Sequence, residues 1–196
     1  MTKTKKILAL GLSSFWMLAA APLVVSAATA NTTVQVAVND VLTTFTTSGT
    51  VTLGGLTPDA TGKQSINKDT VTVDTNATTG YTLTLNDADA NFTLASGGNS
   101  FAATSGTPAA PAALANNTWG WRVDSAAGFG IGPSGVLSNG NPSALTFAGI
   151  SATPVTVKTT ATNGSSATDV WYSARADNTQ PTGTYSDIVT YTATIN

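Results

Sequence analysis

The sequence has 196 residues, with ten acidic and eight basic side chains and neither cysteine nor histidine. Because both residue types are missing, a disulfide framework, a thiolate metal site and the usual Ser-His-Asp or Cys-His catalytic groups cannot be built. Every acidic residue is an aspartate, so a hydrolase would need a pair of aspartates, and we expect a protein that is not an enzyme.

The N-terminal segment has the pattern of a secretory signal peptide. Three lysines form a basic start, an apolar run covers residues 7–25, and small residues follow. Cleavage is expected after Ala27 or Ala30, where the small-residue rule is satisfied. We therefore predict a signal peptide over residues 1–30, a secreted protein located outside the cell or on its surface, and no membrane span after cleavage.

The remaining chain is acidic. Three of the eight basic residues lie in the predicted signal peptide, so five remain against ten aspartates, a net charge of −5. An acidic surface repels phosphate backbones, and we expect no nucleic-acid partner. Residues 31–196 are numerous enough to bury one core, which predicts a single domain. No cysteine is available for lipidation, so any attachment to the cell surface is expected to be non-covalent.

Period-two alternation of apolar and polar residues predicts strands along most of this domain. In residues 31–39 three valines share one face beside a free N-terminus. This first strand either pairs with another copy as an exposed edge or lies within its own sheet. Further alternating segments lie at Val51 and Leu53, Val71 and Val73, Tyr81 to Leu85, Val155 to Val157, and residues 169–177. The final strand is predicted to place on one face Tyr185, Val189, Tyr191, Ala193 and Ile195.

Turn residues separate these strands, and two longer regions interrupt them. Residues 97–117 and 125–143 are rich in glycine, alanine, serine and proline. We interpret both regions as long surface loops, which either bind a ligand or have no binding role. About eight to ten short strands at this spacing predict an all-β fold, an immunoglobulin-like Greek-key β-sandwich.

One short polar segment has the spacing of a calcium loop. Asp87, Asp89 and Asn91 alternate as the first ligands of such a loop do. The loop's glycine is replaced by Phe92, and the chain has no glutamate to complete it. The alternative is a polar turn in which these side chains bond the local backbone. A calcium site and a protein without a cofactor both stay open.

A second candidate site surrounds two tryptophans. Trp119 and Trp121 are two positions apart, so on a strand their rings point the same way, about 7 Å from each other. Exposed rings at this spacing would stack on a sugar, with Arg122 and Asp124 as polar neighbours. The alternative is that both rings fill the core, as large aromatic side chains commonly do.

Two segments resemble bacterial surface proteins. Residues 183–187, Gly-Thr-Tyr-Ser-Asp, followed by alternating valine and threonine, resemble the closing strand of spore coat U proteins, fimbrial subunits and the WxL cell-wall-binding domain. Residues 73–85 are similar to WxL-type and pilin-like sandwich proteins. The paired Trp-x-Leu motif of the WxL family does not occur here. The resemblance implies a cell-surface location and a sandwich fold.

These observations predict a secreted structural or adhesive protein of the cell surface that self-associates through edge strands. The alternative is a non-catalytic module that binds glycans through Trp119 and Trp121. The expected partners are neighbouring surface-protein subunits in the first case and a cell-wall or surface polysaccharide in the second.

Overall fold

The computed structural model describes residues 33, 35–46, 49–124, 126 and 128–196. The chain divides into two units, Met1–Ala37 and Val38–Asn196, and all strands described below belong to the second. The predicted signal peptide and its cleavage sites lie outside the described residues. These residues form strands and irregular segments without any helix, which confirms the prediction of an all-β chain for this part. Accordingly, they include no apolar helix of membrane-spanning length.

The described part of the second unit contains twelve strands. They are β1 (Leu42–Thr46), β2 (Lys63–Thr75), β3 (Tyr81–Asp87), β4 (Leu94–Ser96), β5 (Asn99–Ala103), β6 (Ala112–Ala113), β7 (Thr118–Val123), β8 (Leu137–Gly140), β9 (Thr146–Phe147), β10 (Val155–Thr159), β11 (Gly164–Ala176) and β12 (Val189–Ile195). Seven form one sheet in the order β1-β2-β11-β7-β5-β4, with β8 also pairing β2. A second sheet has the order β10-β3-β12, and β6 pairs with β9.

The longest strands, β2 and β11, form the centre of the larger sheet. Each has 13 residues, and they pair in an antiparallel register without interruption. β2 has three threonines and two valines, and β11 has the consecutive residues Val170, Trp171 and Tyr172, all of them types that suit a pleated surface. Val71 and Val73 are fully buried, whereas Thr70 and Thr72, which alternate with them, are only half-buried. This alternation places Val71 and Val73 on one face of the sheet, and on the other face Ile66 and Trp171 pack in a second, smaller buried cluster.

Side chains of both sheets meet in one buried cluster. Val71 and Val73 of the larger sheet pack in the same cluster as Leu83 and Leu85 of β3. Trp121 of β7 belongs to it as well. The apolar faces of the two sheets therefore share a core, because each sheet can hide its alternating apolar side chains only against another layer.

The closing strand follows the predicted alternation. Val189, Tyr191, Ala193 and Ile195 are half-buried, and the three threonines between them are exposed. Tyr185, predicted on the same face, lies before β12 but packs its ring edge-on against Phe101, with ring centroids 4.8 Å apart. β12 pairs with β3 alone among the described strands.

The first predicted strands are not formed. The described residues among 31–39, Thr33 and residues 35–39, lie outside every strand, so the prediction of a strand over this segment is wrong for them. Val51 and Leu53 also lie outside every strand, although both side chains pack against the core. Their apolar character therefore reflects side-chain burial rather than strand pairing.

The prediction that residues 97–117 and 125–143 are surface loops is partly wrong as well. Residues 97–117 contain β5 and β6, and residues 125–143 contain β8. Phe101, Leu114 and Phe129 of these regions are buried. These buried side chains fix the two regions against the core, although their high content of glycine and alanine had indicated exposed loops. The twelve described strands also exceed the predicted eight to ten.

Candidate functional site

The predicted sugar-stacking platform is wrong, because both tryptophans are core residues. Trp119 is 2% exposed and Trp121 1%. Their indole Nε1 groups donate hydrogen bonds to the carbonyl oxygens of Phe92 and Gly149, each at 3.1 Å. β7 lies inside the larger sheet, between β11 and β5. Because side chains two positions apart on a strand share a face, both indole rings point into the core shared by the two sheets.

Arg122 is fully buried and is not a surface ligand. Its guanidinium donates hydrogen bonds at 2.9–3.2 Å to four backbone carbonyl oxygens, those of Phe129, Gly130, Ile131 and Thr146. Asp124 approaches its Nε at 3.6 Å. Burial lowers the pKa of Arg122, and the nearby carboxylate of Asp124 opposes that shift. Arg122 therefore holds the segment after β7, and the predicted role in polysaccharide binding is wrong for it.

Asp87 and Asp89 form a cluster with a third carboxylate, that of Asp187, which the sequence pattern did not indicate. Asp87 is the last residue of β3 and pairs with Val189, the first residue of β12. This pairing brings Asp187 to the same end of the smaller sheet. Carboxylate oxygens of Asp87, Asp89 and Asp187 lie within 4.8 Å of one another. We call these three residues the aspartate cluster.

Asn91 is directed elsewhere. Its side-chain Oδ1 accepts a hydrogen bond from the Thr93 hydroxyl at 3.1 Å, and its own N–H donates to Asp89 Oδ1 at 2.9 Å. Asn91 therefore contributes a turn, as the polar-turn alternative predicted, whereas Asp87 and Asp89 belong to the cluster. In the sequence, Asp187 lies between Tyr185 and Val189 of the predicted closing strand, and no local spacing connects it with Asp87.

Each of the three carboxylates of the cluster has one oxygen bound by the backbone, and for Asp89 the donor is the Asn91 N–H. Oδ1 of Asp87 accepts the N–H groups of Asp89 and Ala90 at 2.8 and 2.7 Å. Oδ1 of Asp187 accepts the N–H of Ile188 at 2.8 Å. The Oδ2 atoms of Asp87 and Asp187 are buried without any hydrogen-bond partner. Buried polar atoms are almost always paired, so these two oxygens point to a missing partner.

The electrostatics of the cluster agree with this geometry. Burial raises the pKa of Asp187 to about 6, the negative charges of Asp87 and Asp89 add to the rise, and the Ile188 N–H opposes it. Ion pairs among the described residues join Lys63 to Asp59, Lys68 to Asp169 and Arg122 to Asp124. None of these cations neutralises the aspartate cluster.

The cluster lines neither of two depressions on the surface of the described residues. One surface depression of about 520 Å³ is bordered by Asp124, Lys158 and Asp169, and another of about 370 Å³ by Val41 and Asp74. Asp87 is 3% exposed and borders neither depression. The close approach of Asp87 and Asp187 therefore does not by itself provide the open pair of carboxylates that a hydrolase needs.

The edges of the two sheets differ in how they are protected. β4 has only three residues, and β10 carries Lys158 and a register shift next to it. Short strands, lysines and bulges all discourage pairing with another chain. β12 has seven residues without charge, proline or glycine. β1, the five-residue edge strand of the larger sheet, also lacks these features and passes near β12 without pairing with it. Among the described edge strands without charge, proline or glycine, β12 is therefore the longest.

No protein family, curated protein or solved structure was found to match this chain.

Proposed function

We propose that this protein is a secreted structural or adhesive protein of the cell surface, attached non-covalently, and that its copies associate by adding strands at the outer edge of β12. The observation that carries the proposal is this seven-residue edge, which pairs with no other described strand and has no charge, proline or glycine to discourage pairing. Strand addition at such an edge supplies main-chain hydrogen bonds independent of sequence, which suits assembly from identical subunits.

Main-chain groups are available for this pairing. The N–H of Asn196 donates to Gly80, and the carbonyl of Ile188 accepts from Ala88. In an antiparallel pair such bonded residues alternate with residues whose main-chain groups point the other way. The groups of Val189, Tyr191, Ala193 and Ile195 therefore point away from β3, towards the outer edge.

We further propose that the two sheets form an immunoglobulin-like Greek-key sandwich. The support is their shared core and the position of β12, which joins the smaller sheet after a chain segment that leaves β11 in the larger one. Such a sandwich presents its edge strands at its sides, where an added strand would extend one sheet without opening the core.

The location part of the proposal is tested by fractionating the producing cells. Medium, cell wall and sheared surface material are probed for the chain. We expect recovery in the sheared fraction as high-mass assemblies. Recovery only as a monomer in the medium contradicts the proposal.

The association part is tested with a matched pair of variants. Thr192 on β12 and Thr156 on β10 are both exposed, and both lie opposite Thr84 of β3, at the two edges of the smaller sheet. In sedimentation velocity of the secreted protein, Thr192→Lys should abolish assemblies, because a lysine on an edge strand discourages pairing with an added strand. Thr156→Lys adds the same charge at the other edge and should leave them intact. Equal effects of the two variants contradict association through β12.

A further inference from the structure

We propose that the aspartate cluster binds a divalent cation, and that this ion is calcium. The three carboxylates come from two separate parts of the chain, the β3 end and the segment before β12, and their oxygens lie within 4.8 Å of one another. This spacing allows all three to contact one ion, since calcium–oxygen distances are about 2.3–2.6 Å. The inference is independent of self-association.

Two unpartnered oxygens distinguish this cluster from ordinary surface acids. Asp87 is only 3% exposed, and its Oδ2 has no hydrogen-bond partner. Oδ2 of Asp187 is buried and unpartnered in the same way. A carboxylate oxygen removed from water without a partner is strongly unfavourable, and a cation between the two residues would satisfy both at once.

The charge balance favours the same ligand. Three carboxylates gather here, and each cation in the ion pairs of the described residues is bound to an aspartate outside the cluster. A divalent ion would neutralise two of the three negative charges.

The donor set selects a hard cation. Only carboxylate oxygens are present, without imidazole or thiolate, so zinc and copper are disfavoured. Calcium accepts six to eight oxygens in an irregular arrangement and would complete its shell with water on the side of exposed Asp89. Magnesium requires a near-ideal octahedron and gives up its own waters reluctantly, which this partly buried cluster does not favour.

Binding would fix the segment that leads into β12. Asp87 ends β3, and Asp187 lies just before Val189, so one ion would tie the two strands together at this end. The main-chain bond from the Ala88 N–H to Ile188 already joins them there. Calcium would thus stabilise the strand pair to which β12 belongs.

The test is isothermal titration calorimetry of the secreted protein with CaCl2 and, separately, MgCl2, after treatment with EDTA. We expect calcium to bind with a dissociation constant of about 10⁻⁴–10⁻³ M, the range of extracellular calcium modules. Asp187→Asn and Asp89→Asn should each weaken it by about tenfold or more, because affinity follows the number of charged ligands. Asp40→Asn removes an exposed acid outside the cluster and should leave the affinity unchanged.

Circular dichroism checks that each variant is folded, and Asp89, which is exposed, is the substitution least disturbing to the fold. Absence of calcium binding at millimolar concentration overturns the proposal, as does an unchanged affinity in both cluster variants. The two buried oxygens would then be explained by a proton shared between Asp87 and Asp187. Tighter binding of magnesium than of calcium overturns the assignment of the ion.

Discussion

The hydroxyl groups of Tyr172 and Tyr191 lie 2.5 Å apart and join the two sheets. Tyr172 belongs to β11 of the larger sheet and Tyr191 to β12 of the smaller one. Burial raises the pKa of both phenols, and the negative charge of Asp69 adds to the rise. Both hydroxyls therefore stay protonated at neutral pH, and one can donate to the other.

Removal of one hydroxyl should weaken the contact between the sheets. Tyr191→Phe leaves the buried hydroxyl of Tyr172 without its partner, and we expect a loss of about 1–3 kcal/mol in the free energy of unfolding, measured with urea. The double variant with Tyr172→Phe should lose less than the sum of the single variants, because the bond is removed only once. Tyr185→Phe, whose hydroxyl bonds Pro181 at an exposed site, is the control. Additive losses would contradict a direct bond.

Truncation of Trp121 should unfold the core rather than remove a binding surface. Trp121 is fully buried, and its ring lies against Phe129 with centroids 5.4 Å apart. We expect Trp121→Ala to lower the free energy of unfolding by about 3–5 kcal/mol. Urea unfolding measures this loss, and a polysaccharide pull-down with the folded variant is the companion measurement. If Trp121→Ala lost glycan binding at unchanged stability, the prediction of an exposed sugar-binding surface would be supported instead.

Asp177 should make stability depend on pH in the acid range. Hydrogen bonds from the hydroxyl and N–H of Thr179, and from the side chains of Asn117 and Asn116, lower the pKa of Asp177 to about 2. The unfolded chain, with a pKa near 3.8, then binds more protons than the folded chain between those values. The contribution of Asp177 is therefore present above about pH 4 and lost as the pH falls towards 2.

The measurement is urea unfolding at several values between pH 5 and pH 2. Asp177→Asn should lose less stability over this interval than the original chain, since it has no carboxylate to protonate. Asp40→Asn, an exposed substitution outside this network, should follow the original chain. Parallel curves for the original chain and Asp177→Asn would contradict the depressed pKa.

A proline on β12 should separate assembly from folding. The N–H of Ala193 points to the outer edge, whereas that of Thr194 points to β3. Ala193→Pro removes a donor that only an added strand would use, so we expect loss of high-mass assemblies with the fold retained. Thr194→Pro breaks a bond to β3 and should lower the free energy of unfolding. Sedimentation velocity and urea unfolding distinguish these results, and assemblies that persist in Ala193→Pro contradict addition at β12.

The pattern of the sequence by itself determined that the described part of the chain is built from strands. Alternation predicted both faces of β12 and the buried Val71 and Val73, because the side-chain period of a strand is two whatever surrounds it. It also placed Trp119 and Trp121 on one face of a strand. The absence of cysteine and histidine excluded whole classes of sites before any fold was known.

Only the tertiary structure decided which face meets water and which distant residues meet. Trp119 and Trp121 are buried because β7 lies inside a sheet covered on that side, a property of strand order rather than of alternation. Asp187 reaches Asp87 because β12 pairs with β3 across a long stretch of chain. Strand pairing is set by contacts between distant segments, so local spacing, which suggested Asn91, could not reveal it.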